Sequence, residues 1–402
     1  MLKPDYDLAI IGGGIVGLAT GLAISDQSPD LSIVVIEKEG GVARHQTGHN
    51  SGVVHSGIYY RPGTIRARLC VEGVTLLQEF CREQDLPYDR CGKVVVATRE
   101  DELPRLQTLF ERGNQNGVPG LELIGPERLR EIEPHANGIQ AIWSPNTAIV
   151  DYAQIAKRYA EIMGERGAKF EFNSEVRSIR ESDGLLRITT SSGEIRSRYL
   201  VNCAGLYADE VARMAGHKPE VQVVPFRGEY YKLRPERRDL VRGTIYPVPD
   251  PSFPFLGVHL TSTIGGEVEA GPNAVFAFAR EGYGWGRINP RELTQSLRYP
   301  GVWQLARRHW RMAAYEYYRS FSKRAFVESL QRLVPGLRDE DVVRGGAGVR
   351  AQALNPDGSL VDEFVIISSQ RALHVLNAPS PAATASIAIG RHIAAELREL
   401  AA

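Results

Sequence analysis

The 402-residue chain is 43% apolar and 24% charged, an ordinary globular composition with length enough for two packed domains. Its 48 basic and 48 acidic side chains cancel, which removes any global drive toward nucleic acid or acidic polymers. Cys70, Cys81, Cys91 and Cys203 form no CxxC pair and no His-interleaved spacing, so free thiols, a reducing compartment and no metal site are expected. The N-terminus "MLKPDYDLAIIGGG" has no basic n-region or small-residue cleavage site, and no apolar run is long enough to span a bilayer. A cytoplasmic protein is expected, in solution or on the membrane's cytoplasmic face.

In chain order, "YDLAIIGGGIVGLATGLAIS" reads as an apolar strand, a GxGxxG turn of Gly12, Gly14 and Gly17, and a small-residue helix beginning near Ile15. Those glycines serve a tight turn, the approach of backbone to a pyrophosphate, and close packing of helix on strand. "LSIVVIEKE" is a second β-branched strand ending at Glu37, where a carboxylate can accept hydrogen bonds from an adenosine ribose. This much suits FAD or NAD. "RHQTGHNSGVVHSGIYYRPG" follows, with three histidines, four glycines and two tyrosines, too polar for a core strand and too irregular for a helix. It reads as a loop that meets a ligand with its backbone.

Farther along, 86–143 and 217–336 lose the βαβ rhythm and become strand-like runs rich in proline and aromatics, whereas 1–85, 144–216 and 337–402 keep it. The nucleotide domain is therefore expected to be discontinuous. "RYLVNCAGLYADEVARMAG" runs a strand into Ala204 and Gly205 and then a helix, a second small-residue crossing common in flavoproteins. The Pro-rich "YPVPDPSFPFLGVHL" reads as a strand-edge loop entering a strand that carries His259. "GGAGVRAQAL" sets Arg350 just after three glycines, suited either to a substrate carboxylate or to a structural Asp or Glu. Last, "LHVLNAPSPAATASIAIGRHIAAELREL" is a strand, a Pro-Ser-Pro loop and a helix whose first turn is built of Ala and Thr. Free N–H groups there would face an electron-rich carbonyl such as the flavin C2 oxygen, which favours FAD.

The segments "QTGHNSGVVHSGIYYRPG", "PFRGEYYKL", "GVRAQAL" and "LNAPSPAATASIAIG" resemble the L-2-hydroxyglutarate oxidase or dehydrogenase family, within the D-amino-acid-oxidase and glycine-oxidase-like group of FAD enzymes. The resemblance runs from about Tyr6 to Arg391. It implies an α/β fold, a Rossmann-like FAD-binding domain with an α+β substrate domain built around an antiparallel sheet that covers the flavin. It also implies that Asn50, Ser51, Gly52 and Val53 pass under the pyrophosphate and along the isoalloxazine, with His55 beside the ring. His259 is expected to face the flavin from the substrate side. The cofactor contacts expected on this basis are Gly12, Gly14, Ile15, Gly17, Glu37, Lys38, Val176, Ala204, Gly205, Gly348, Ser380, Pro381, Ala382, Ala383 and Thr384, besides the loop residues. No cysteine sits in an attachment motif, so FAD is expected to bind noncovalently.

The chemistry implied is oxidation of a 2-hydroxy acid to a 2-oxo acid, with hydride passing from Cα to flavin N5 while a base near neutral pKa takes the hydroxyl proton. His259 is favoured narrowly over His55 as that base; His45 and His49 read as backbone-bonded. Arg350 is expected on the C1 carboxylate, and Arg61 with Tyr59 or Tyr60 on the distal carboxylate of a diacid. A glycine- or sarcosine-oxidase-like amine oxidase is the alternative enzyme, and a redox-silent flavin-binding scaffold the alternative class. Finally, Arg291 to Arg324 carries eight Lys or Arg against two Glu, with Trp303, Trp310 and four tyrosines. That segment reads as a basic helical cover or as a patch for an anionic membrane, where a quinone rather than oxygen would receive the electrons.

Overall fold

The structure is a computed structural model and describes residues 3–250 and 255–401. The first sheet forms as its β-branched runs require. Strand Tyr6–Ile11 lies at its centre, parallel to Ile33–Ile36 on one side and to Glu194–Asn202 on the other. Lys169–Glu171 and Ala372–Asn377 extend it in parallel, while Val365–Ser368 and the hairpin Val176–Ser182/Leu185–Thr190 add antiparallel edges. Leu8, Ala9, Ile10, Val34 and Val35 are at most 1% exposed because both faces of the sheet are covered, the arrangement that parallel sheets need. Helix Ile15–Gln27 shows no apolar stripe for the same reason. It is packed between the sheet and the helices Tyr152–Glu165 and Ser386–Ala401.

A second, nine-stranded sheet carries the cover. It is antiparallel except where Thr244–Pro247 runs parallel to Lys93–Ala97. This bears out the expected α/β class with an antiparallel sheet over the nucleotide fold. One strand falls elsewhere than its sequence suggests. Val342–Leu354, grouped above with the nucleotide segment, pairs along nearly its whole length with Gln222–Leu233 in the second sheet. A thirteen-residue strand forms here because a long partner supplies a continuous ladder. Within the Pro-rich loop before His259, residues 251–254 lie outside the described residues, and the strand His259–Ser262 follows as expected.

Between the sheets runs the polar loop. Val53–Val54 pairs with Ala148–Ile149 in a short ribbon of its own, and the Gly52 amide sits where any Cβ would lie 2.5 Å from the Val150 carbonyl oxygen. Helix Ile65–Glu83 then starts on a Thr64 cap whose hydroxyl accepts from Ala67 N.

Candidate active site

A cavity of about 1290 Å³ is lined by residues of both sheets and of the loop between them. At one end lies the Gly12–Gly17 turn. Gly12 has φ +109°, and a Cβ on it would stand 2.4 Å from the Cys203 carbonyl oxygen, so the turn and the Cys203–Gly205 crossing touch backbone to backbone. Glu37 is fixed as an acceptor at the end of its strand: Oε2 takes the Gly13 N–H at 2.7 Å and Oε1 the Glu39 N–H at 2.9 Å. The Ile15 N–H donates to Thr47 Oγ1 at 3.0 Å, and no side chain caps the helix at Gly14. A glycine-lined helix start with no N-cap side chain suits a pyrophosphate.

At the other end stand His55, Tyr59, Tyr60, Tyr230, Tyr246, His259 and Arg350. The His259 ring stacks on Tyr246, centroids 3.9 Å apart, and its Nδ1 lies 2.8 Å from the Gly257 carbonyl oxygen. A carbonyl only accepts, so Nδ1 carries the proton and Nε2 holds the lone pair. Burial, opposed by the Gly257 hydrogen bond and assisted by Lys93 and Arg350, pushes this imidazole down to about 3. His55 is held well below the usual histidine range, first by burial and then by Lys93, His259 and Arg66. Its Nδ1 is buried without a hydrogen-bond partner, and its backbone N–H donates to Thr384 Oγ1 at 3.1 Å.

Arg350 projects from the long strand Val342–Leu354. Its Nη1 donates to the Asn273 carbonyl oxygen at 3.3 Å and its guanidinium stands 5.4 Å from the Phe255 ring centroid. Among the described residues no carboxylate pairs with it. The structural partner that would have explained this arginine is therefore missing. Arg61, by contrast, is exposed and does not line the cavity. Five residues on, in the first turn of helix Ile65–Glu83, Arg66 does, with its guanidinium 4.6 Å from the Tyr60 ring centroid. Its donors are engaged, Nε with the Ser380 carbonyl oxygen at 2.7 Å and Nη1 with that of Asp362 at 2.8 Å.

The family model of FAD dependent oxidoreductases, DAO, matches residues 7–396. The chain belongs to the DAO family. An L-2-hydroxyglutarate dehydrogenase of Indibacter alkaliphilus is 49% identical over 96% of this chain and 97% of that one. The mitochondrial L-2-hydroxyglutarate dehydrogenase of Homo sapiens is 46% identical over 98% and 89%. Among solved structures, L-alpha-glycerophosphate oxidase from Mycoplasma pneumoniae with FAD bound superposes with a TM-score of 0.80 at 21% identity, covering 98% of this chain and 94% of that one. A glycine oxidase from Bacillus cereus gives 0.71 at 17%, covering 98% and 95%. At those identities the structural likeness speaks for the fold.

FAD is the cofactor of this DAO-family chain, and the residues present fit it. Gly12, Gly14, Ile15, Glu37, Lys38, Asn50, Ser51, Val53, Val176, Ala204, Gly205 and Gly348 all line the cavity, as do Ser380, Pro381, Ala382, Ala383 and Thr384. Gly17 and Gly52 do not; both shape the backbone behind it. The Ala-Thr stretch is a turn and not the first turn of the last helix, which starts at Ser386. Pro379 and Pro381 hold it in turns closed by Ala382 N to Pro379 O at 3.0 Å and Ala385 N to Pro381 O at 2.9 Å. His45 bonds Tyr283 and Glu39, and His49 bonds the His45 carbonyl oxygen, which keeps both from the base's position. Sequence reasoning passed over Arg66, Lys93 and Tyr246.

Gly17→Ala tests the nucleotide end. Its Cβ would fall 2.2 Å from the Gly12 carbonyl oxygen, so the helix must move off the strand. Purified Gly17→Ala is expected to bind FAD about tenfold or more weakly, read by flavin fluorescence during titration.

Proposed function

We propose that this chain oxidises L-2-hydroxyglutarate to 2-oxoglutarate. The observation that carries the reading is the pair formed by a buried, neutral His259 and a buried Arg350 with no carboxylate of its own among the described residues. The Arg350 fork binds the C1 carboxylate in two parallel hydrogen bonds and so fixes the orientation of Cα. His259 Nε2 takes the hydroxyl proton, while Nδ1 stays bonded to Gly257, the one neighbour that favours the imidazolium against burial, Lys93 and Arg350; the base is thus weaker than the near-neutral one expected from the sequence. His55 borders the same space and shapes the flavin side. Bound FAD supplies the acceptor for the hydride that leaves Cα as the C–O bond becomes C=O. Attachment is noncovalent: Cys203, a cysteine lining the cavity, is pushed up to about 12 by burial and is no nucleophile. Turnover of L-2-hydroxyglutarate with a dye acceptor, with 2-oxoglutarate measured as product, tests the reading; absence of product overturns it.

Both histidines are already neutral at neutral pH. The kcat/KM profile, which reports the free protein, is therefore expected to show no loss between about pH 8 and 6 from protonation of the base. Stability runs the other way. Below about pH 6.5 the unfolded chain protonates histidines that the fold keeps neutral, so unfolding becomes easier as pH falls from there toward the folded value. Denaturant midpoints at pH 7 and 5 check the sign.

The electrons pass to a membrane quinone, with oxygen as the lesser acceptor. Helix Pro300–Phe321, kinked at His309, leaves Trp303, Trp310, Tyr318 and Phe321 58% to 65% exposed. Beyond the kink, Trp310, Tyr318 and Phe321 recur at helical spacing, Trp303 is exposed before it, and Arg307, Arg308 and Arg311 are exposed among them. The helix's other side is seated on the body through buried Glu316, whose Oε2 accepts from the Ala274 N–H at 2.9 Å. Exposed aromatics interleaved with arginine match an anionic headgroup layer. No helix among the described residues is long and apolar enough to cross a membrane, and the contact proposed is a peripheral one. Salt-sensitive co-sedimentation with anionic vesicles is expected, weakened when Arg307, Arg308 and Arg311 become Gln. No binding at low salt, with rapid peroxide formation in air, would refute it.

A further inference from the structure

Lys93 is 1% exposed, among the least accessible lysines a fold can hold, and no carboxylate pairs with it among the described residues. Its ammonium stands 4.2 Å from the Tyr246 ring centroid and 5.4 Å from that of Tyr59. Both rings line the cavity, and Tyr246 is the ring on which His259 stacks. The Tyr59 hydroxyl is likewise buried and makes no hydrogen bond. The ammonium itself does not line the cavity and is met by ring faces alone, so a buried cation without a carboxylate and a buried hydroxyl without a partner border the same two rings, a costly arrangement unless an anion comes to them.

The neighbouring cations are otherwise occupied. Arg66 holds the Ser380 and Asp362 carbonyl oxygens, Arg105 faces Asp101 and Asp250, and Arg112 donates to the Tyr59 carbonyl oxygen at 3.1 Å. Arg350 and Lys93 both lower the affinity of His259 for a proton, so both charges are felt at the base. A substrate with two carboxylates needs two such cations; a monocarboxylate needs one.

Resting on the reading of the site given above, we infer that Lys93 and the Tyr59 hydroxyl recognise the second carboxylate of the substrate and so select diacids over monoacids. Tyr59 is the direct donor as its side chain adjusts to the ligand, and Lys93, behind the ring, supplies the charge that positions it. Burial leaves the Lys93 ammonium at about 8, so its charge, and with it the grip on the diacid, fades as pH rises through that value.

Wild type, Lys93→Met, Lys93→Arg and Tyr59→Phe are to be compared on L-2-hydroxyglutarate and on L-2-hydroxypentanoate, the same carbon chain without the second carboxylate. In Lys93→Met and Tyr59→Phe the ratio of kcat/KM for diacid over monoacid is expected to drop roughly thirtyfold, mostly through KM, with partial recovery in Lys93→Arg. The wild-type KM for the diacid is expected to rise above about pH 8, and Lys93→Met to lose that rise. Equal losses on both substrates, or an unchanged ratio in the well-folded Tyr59→Phe, would overturn the inference. Wild type that turns over neither acid would instead overturn the reading of the site on which it rests.

Discussion

Arg350→Lys is expected to lower kcat/KM for L-2-hydroxyglutarate by about a hundredfold while the protein still purifies yellow with FAD. Lysine keeps the charge and loses the planar fork, so the carboxylate can pivot and Cα leaves the reacting geometry. The side chain's own bond, from Nη1 to the Asn273 carbonyl oxygen, leaves the rest of the guanidinium free for a ligand. Because the strand is held by its long ladder with Gln222–Leu233, the substitution should leave folding intact. Stopped-flow reduction of the flavin separates the outcomes. A reduction rate near wild type would remove Arg350 from the substrate.

His259→Ala and His55→Ala are expected to part company. The base supplies about a hundredfold or more to proton removal, so His259→Ala should lose that much of its flavin reduction rate and regain part of it at high pH, where hydroxide competes. His55, whose ring nitrogen Nδ1 is buried without a partner and whose backbone is tied to Thr384, should mainly shift the flavin spectrum and potential. Reduction near the wild-type rate in both variants would show that the hydroxyl proton leaves by another route.

The nucleotide end was legible because each part of it is local in sequence. Gly12, Gly14, Gly17 and Glu37 follow one another along a single βαβ turn, and their spacing is dictated by one ligand and one helix start. The polar loop was legible as a ligand loop because its composition fits neither core strand nor helix. The substrate end was harder. Arg350 and His259 sit on strands of the second sheet, joined to the site only by pairings between distant segments such as Phe226 with Arg350 and His259 with Gly271. Arg61 was chosen for its closeness to Tyr59 and Tyr60 in sequence, yet helix Ile65–Glu83 begins just beyond it and turns Arg66 inward instead. Lys93 stayed hidden because nothing local distinguishes a buried lysine from one at a strand's wet end; only the cover packed over it decides.

The measurement closest to the central claim is anaerobic mixing of the purified, FAD-loaded protein with single substrates while flavin absorbance is followed. L-2-hydroxyglutarate should bleach the flavin rapidly and stoichiometrically, with 2-oxoglutarate recovered, and glycine and sarcosine should leave it oxidised. Bleaching by glycine or sarcosine with L-2-hydroxyglutarate inert would contradict the account and make the protein an amine oxidase on this scaffold. A flavin that no candidate reduces would make it a binding protein without this chemistry.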